Sequence, residues 1–133
     1  ILNLGTKLDN CKDACNILSK EGIKPTLADA RFAKPIDTDL IEFLIANHEY
    51  LILIEEGSIG GFSSHVLNYI YNIRPIKTKI IVKNIFFPDR FVEHMTPEEQ
   101  YKEIGMDTNT IVKKILNLFD NKVINLKNFT TKI

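Results

Sequence analysis

The sequence predicts an α/β fold: a three-layer sandwich whose mostly parallel sheet of about four to five strands carries helices on both faces. Three observations lead there. Short apolar runs alternate along the chain with segments whose apolar residues recur at spacings of three and four. The run YLILI, residues 50–54, is apolar throughout, as suits a central parallel strand covered on both faces. The breaks between segments hold glycine, proline and capping residues, with no long linker.

Taken in order, ILNLG (1–5) is a short apolar strand ended by Gly5. From Thr6 to Glu21, Leu8, Cys11, Cys15 and Leu18 mark one face of an amphipathic helix. Thr6 followed by Asp9 is a partial capping box, and Gly22 is a stop. PTLADARF (25–32) is a second strand, after which KPID turns the chain. Asp37 caps a helix that turns Leu40, Ile41, Leu44 and Ile45 inward. YLILI is the third strand. After a glycine turn, Phe62, Val66, Tyr69, Ile70 and Ile73 give another helix, closed by Pro75. TKIIVKNI (78–85) is the fourth strand. Thr96, Pro97 and Glu99 make a complete helix start, with Gly105 as the stop. Asp107 or Thr108 opens a last amphipathic helix bearing Ile111, Val112, Ile115, Leu118 and Phe119. The expected division is a domain over 1–120 and a polar, Asn- and Lys-rich C-terminal tail over 121–133, docked or disordered.

A chain of 133 residues can bury one real core. Lys and Arg balance Asp and Glu at 17 each, so no long-range field draws the chain to nucleic acid or to a membrane surface. The apolar runs are too short to span a bilayer. Cys11 and Cys15 read as reduced core thiols, since no other cysteine and no histidine lies near them in sequence. The chain begins in mid-strand with no initiator Met, which suggests a piece of a longer polypeptide whose targeting segment would lie upstream. Lys (14) far outnumbers Arg (3), and Ile and Asn are abundant, a bias that reads as an AT-rich genome.

In a parallel sheet, the loops at the C-terminal ends of the strands form the usual ligand or partner edge. DARFAKPID, EEGSIGG and FFPDRFVEHM all fall there. Glu55 and Glu56 are neighbours in an extended segment, so they point to opposite faces. One is expected to be partly buried, accepting N–H groups of the glycine turn or meeting Arg31 or Lys34; the other is expected in solvent. The alternative for this pair is direct contact with a ligand. The turn GSIGG matches neither G-x-G-x-x-G nor G-K-[ST]. An anion could sit at the following helix start beside Ser63 and Ser64. The favoured reading is that Gly60 and Gly61 let backbone and helix approach closely. Asp29, Arg31 and Lys34 suggest an ion pair at the mouth of the sheet. Of His48, His65 and His94, only His94, beside Glu93, is a candidate contact residue, and no metal set emerges. No complete nucleophilic or acid–base arrangement can be assembled from spacing.

At these same loops, LADARFAKPID, LILIEEGSIGGFSSHVLNYI and FFPDRFVEHMTPEEQYKEIGMD resemble, in that order, the C-terminal domain of the 1-deoxy-D-xylulose 5-phosphate synthase family. The resemblance runs from about Leu2 to Leu118. It implies a transketolase-type, thiamine-diphosphate-dependent transferase as the full-length parent. That enzyme condenses pyruvate with glyceraldehyde 3-phosphate, with loss of CO2, for isoprenoid and thiamine biosynthesis. Thiamine diphosphate and Mg²⁺ would belong to other domains of the parent, so the resemblance implies no catalytic, cofactor or metal residue here and an inactive isolated fragment. The partners implied are the other domains of the same chain and a homodimer partner. Asp29, Arg31, Glu55, Glu56, Gly60, Gly61, Phe62 and His94 are the expected inter-domain or loop-edge contacts. Two departures stand out: the family usually reads GGFGSHV where this chain has Ser63, and commonly has glycine where this chain has Met95. If either position required φ > 0, its turn would be reshaped. A plastid-derived organelle, or alternatively a bacterial cytoplasm, is the expected location. The rival readings are a regulatory small-anion-binding module at GSIGGFSS, and the equivalent domain of a transketolase or a 2-oxo acid dehydrogenase β-subunit.

Overall fold

The computed structural model describes residues 1–74 and 79–129, with side chains described through Phe119. Four strands, β1 (Leu2–Leu4), β2 (Ala28–Asp29), β3 (Tyr50–Glu55) and β4 (Ile81–Ile85), pair in the order β2-β1-β3-β4, every pair parallel. The helices are α1 (Leu8–Lys20), α2 (Thr38–Asn47), α3 (Phe62–Asn68), α4 (Pro97–Ile104) and α5 (Thr108–Phe129). A π-helical turn, Tyr69–Ile73, continues α3.

The two-residue period of a strand sorts the core into two halves. Leu51 and Leu53 of β3 pack with Ile41, Leu44, Phe62 and Val66, so α2 and α3 cover one face. Ile52 and Ile54 pack with Cys11, Leu18, Ile111 and Ile115, so α1 and α5 cover the other. Both faces of β3 are therefore dry, which is why YLILI carries no polar residue before Glu55. Burial of each such side chain stabilises the fold by about 1.5–3 kcal/mol relative to exposure. Cys11 is fully buried and Cys15 half-buried, both as free thiols. Burial, and then the neighbouring Cys15, push the Cys11 thiol up to about 12, which keeps it protonated and unreactive.

Several local signals hold. Asp37 accepts from the Leu40 amide at 2.9 Å. Thr96 and Glu99 form a reciprocal capping box with Pro97 in the first turn. Asp107 accepts from the Thr110 amide at 3.1 Å. Gly22 ends α1 through Ile23 N–H to Leu18 C=O (3.1 Å) and Gly22 N–H to Ser19 C=O (3.2 Å).

Others do not. Thr6 does not cap α1: Lys7 holds that position, and no side chain caps it. β2 is far shorter than PTLADARF. Its ladder bonds end with Ala30 N–H to Asn3 C=O, and at Arg31 the backbone swings to φ 63° and leaves the sheet. β4 begins only at Ile81. Pro75, the expected stop for the third helix, lies outside the described residues.

Candidate functional site

Because all four strands run parallel, their C-terminal ends share one edge, and the segments 5–7, 30–37, 56–61 and 86–96 emerge together there. Glu55 and Glu56 end the central strand at this edge. As alternation requires, they part to opposite faces.

Glu55 turns toward α3 and is only 3% exposed. Its carboxylate accepts the Phe62 amide at 2.7 Å, the Ser63 amide at 2.9 Å and the Ser63 hydroxyl at 2.6 Å. Helix starts leave amide donors without intrahelical partners, and the local cap residue, Gly61, has no side chain to offer. Glu55 does that work from the adjoining strand, and its charge suits the positive end of the helix. Its backbone-donor partners thus lie within its own domain. α3 begins only seven residues after Glu55, so the donors it accepts stand just beyond the glycine turn expected to supply them.

The glycines serve this carboxylate in two ways. Gly60 holds φ 96°, a conformation that favours glycine. At Gly61 the demand is space: a Cβ there would stand 2.6 Å from Glu55 Oε2. Ser63 replaces the family's glycine without strain, since Arg31 is the non-glycine residue with positive φ among the described residues. Its hydroxyl adds a third bond to Glu55. Met95 likewise needs no positive φ.

Glu56 turns to the other face and is not simply solvated, as expected for the second carboxylate. It accepts from the Thr6 amide at 2.9 Å, the Thr6 hydroxyl at 2.7 Å and the Tyr101 hydroxyl. This explains why Thr6 does not cap α1. The Lys7 ammonium lies 3.0 Å from the centre of the Tyr101 ring, a cation–π contact. Burial pushes the Glu56 carboxyl up, but the bonds from Tyr101 and Thr6 outweigh it and hold the group below the usual carboxylate range. The same bond to Glu56, then burial, raises the Tyr101 hydroxyl. Glu56 thereby ties the β1 loop and α4 to β3. Sequence reasoning missed Thr6, Lys7 and Tyr101 as its partners, since the contacts from Glu56 reach across 45 and 50 residues and no local pattern marks them.

The remaining candidates are spread along the edge. Asp29 is exposed and accepts the Arg31 backbone amide at 3.0 Å. The expected ion pair does not form: the described salt bridges are Arg74–Glu42 (2.6 Å) and Arg90–Glu103 (2.7 Å). Phe62 contributes its amide to Glu55, while its side chain is spent inside the α2/α3 half of the core. His94 is exposed in the loop before α4, next to Glu93, whose carbonyl accepts from Gln100 Nε2 at 3.0 Å.

Among the described residues no three His, Cys, Asp or Glu side chains gather as a metal site. The start of α3, the place for an anion, is already filled by the Glu55 carboxylate, whose charge would repel a phosphate. A diphosphate cofactor does not fit there, and the small-anion reading of GSIGGFSS loses its donors. Among the described residues, cavities lie elsewhere, one of about 240 Å³ near His48 and Thr26, at the opposite edge, and one of about 270 Å³ between β4 and α5. Among the described residues no helix is long and apolar enough to cross a membrane.

Comparison with known proteins agrees with this geometry. Residues 1–111 match the family described as Transketolase, C-terminal domain. Over 118 residues the chain is 42% identical to a probable 1-deoxy-D-xylulose-5-phosphate synthase 2, chloroplastic, of Oryza sativa subsp. japonica; the match takes in 89% of this chain and 16% of that protein. Among solved structures, a split gene transketolase in an inactive β4 tetramer superposes with a TM-score of 0.75 at 26% identity, over 87% of this chain and 37% of that one. The chain therefore spans a small part of the relatives it matches. On the strength of the family match over residues 1–111, the chain belongs to the transketolase C-terminal domain family.

Proposed function

We propose that this chain is the C-terminal assembly domain of a 1-deoxy-D-xylulose 5-phosphate synthase. The parent condenses pyruvate with glyceraldehyde 3-phosphate, loses CO2 and yields 1-deoxy-D-xylulose 5-phosphate. The observation that carries this reading is the 42% identity to the rice protein across 89% of the chain. The use of the two edge glutamates supports the non-catalytic part of it: both are committed to hydrogen bonds inside the domain, so neither is free to move a proton for a substrate. Thiamine diphosphate and Mg²⁺ would be bound by other domains of the parent and would supply the carbanion chemistry. Asp29, Arg31, Gly60 and His94 would face those domains, and the parent would act as a homodimer in a plastid-derived organelle.

The test is an assay of the parent protein. Pyruvate and glyceraldehyde 3-phosphate should give CO2 and the deoxyxylulose phosphate. Transfer of a two-carbon unit from a ketose phosphate, with no CO2 released, would instead make the parent a transketolase, the second reading that the structural match at TM-score 0.75 keeps in view. The isolated chain, titrated with thiamine diphosphate and Mg²⁺ in a calorimeter, should give no stoichiometric heat; saturable heat would place the cofactor on this domain.

A further inference from the structure

We propose that Phe32, Ile59 and Phe91 are the apolar anchors by which this domain seats on the cofactor-bearing portion of its own parent polypeptide. The inference rests on the assembly reading and adds which face docks and which side chains carry the contact.

Each anchor sits in a different loop of the C-terminal edge, following β2, β3 and β4 respectively. Phe32 is 51% exposed, Ile59 66% and Phe91 103%. A single exposed apolar residue means little. Three large ones, each from a separate loop and all on one sheet edge, are the composition of an interface centre. Exposed charged residues, Asp29 at the end of β2 and Arg31, Lys34 and Asp89 on the same loops, supply the polar rim that such a centre has.

The loops are also held in place before any partner arrives. Glu55 pins the turn that bears Ile59 to the start of α3. The Phe87 amide donates to the Gly57 carbonyl at 3.1 Å, joining the β4 loop to the β3 loop. Arg90, next to Phe91, pairs with Glu103 of α4. Arg31 holds φ 63° while the Phe32 amide reaches back to the Ala30 carbonyl at 2.7 Å, so a sparsely populated backbone conformation sets the direction of Phe32. Loops fixed in this way lose little freedom on docking.

The occupant follows from proportion. This chain matches 16% of the rice relative and 37% of the transketolase chain, so most of a parent of that kind lies outside it and is the surface available to cover the edge. Among the described residues, the other large exposed apolar side chains, Phe43, Tyr71, Ile73 and Ile81, lie on α2, the π-helical turn and β4, away from these loops, and serve as controls.

The test uses the full-length parent. Ile59→Ser with Phe91→Ser, and separately Phe32→Ser, should raise hydrogen exchange in segments 57–61 and 88–92 about tenfold or more and split one thermal transition into two, as loss of interface hot spots does. Phe43→Ser with Tyr71→Ser should leave both readouts unchanged. If the control pair splits the transition and the anchor variants do not, the domain still assembles but by another face, and this inference is wrong. If a parent lacking residues 1–133 keeps full turnover and the same oligomeric state, the assembly reading beneath it falls as well.

Discussion

Glu55 and Glu56 are the same residue type, adjacent in the chain, and each accepts three hydrogen bonds. They nonetheless carry different weights. Glu55 is 3% exposed, all its partners lie within eight residues, and two of them are amides at a helix start. Glu56 is half-buried, and its partners come from two other elements, the β1 loop and α4. Glu55 makes a turn; Glu56 joins distant parts. Where water can re-solvate the donors, losing the acceptor costs little, and where it cannot, the loss falls on stability.

The sharpest way to break this comparison is Glu55→Ala. It leaves two amides and a hydroxyl in a dry site, at ~1–3 kcal/mol for each donor left unpaired, so a loss of about 4 kcal/mol in urea unfolding is expected. Glu55→Gln, which keeps one acceptor oxygen, should lose about half of that. A loss under about 1 kcal/mol for the alanine variant would mean that water reaches α3 and that the two carboxylates are equivalent after all.

Next in size is Gly61→Ala. The added Cβ would stand 2.6 Å from Glu55 Oε2, well inside contact distance. Overpacking of that kind costs about 2 kcal/mol. The informative measurement is the double variant. With Glu55 already replaced by alanine, the methyl is left with the Ser58 carbonyl oxygen at 3.2 Å as its tight neighbour, so the second substitution should cost about 1 kcal/mol less than it does alone. Strict additivity would show that Gly61 is required for something other than room for the carboxylate.

How much of this was legible in the sequence depends on how local each contact is. The strand period alone places Glu55 and Glu56 on opposite faces, and YLILI alone places their strand in the middle of the sheet. Asp37, Thr96 and Glu99 act within three or four residues of themselves, and their caps are present as expected. Thr6 looked like another such cap. Its hydroxyl goes instead to a carboxylate 50 residues away, and the helix starts uncapped. The fate of PTLADARF was hidden for a different reason: β-propensity describes a strand's residues, but the strand ends where Arg31 takes a backbone angle that no side-chain pattern announces. Family resemblance reached the C-terminal edge of the sheet through DARF, GSIGG and PDRF. It did not separate Phe62, whose ring is in the core, from Phe32 and Phe91, whose rings face outward.

The smallest expected effect is Glu56→Gln, about 1 kcal/mol at neutral pH, since the amide keeps the shape but gives up the charge that Thr6 and Tyr101 donate to. Its value is the pH dependence. Burial works to raise the Glu56 carboxyl, but the bonds from Tyr101 and Thr6 prevail and the folded-state value lies below the ordinary one. The unfolded chain therefore takes up its proton first as the pH falls. The charge contributes its full stability above the unfolded value of about 4.3 and loses it as pH drops through the folded value. Glu42, Glu99 and Asp107 are shifted in the same direction, so wild type alone would show a composite slope. The difference between wild type and Glu56→Gln isolates the one group. That difference in melting temperature should be constant from pH 7 to pH 5 and shrink below pH 4.5, approximately where an unperturbed glutamate titrates. A gap that stays the same down to pH 3 would mean that Glu56 holds the β1 loop and α4 by shape alone, and the contrast with Glu55 would then be one of burial only, with charge contributing nothing.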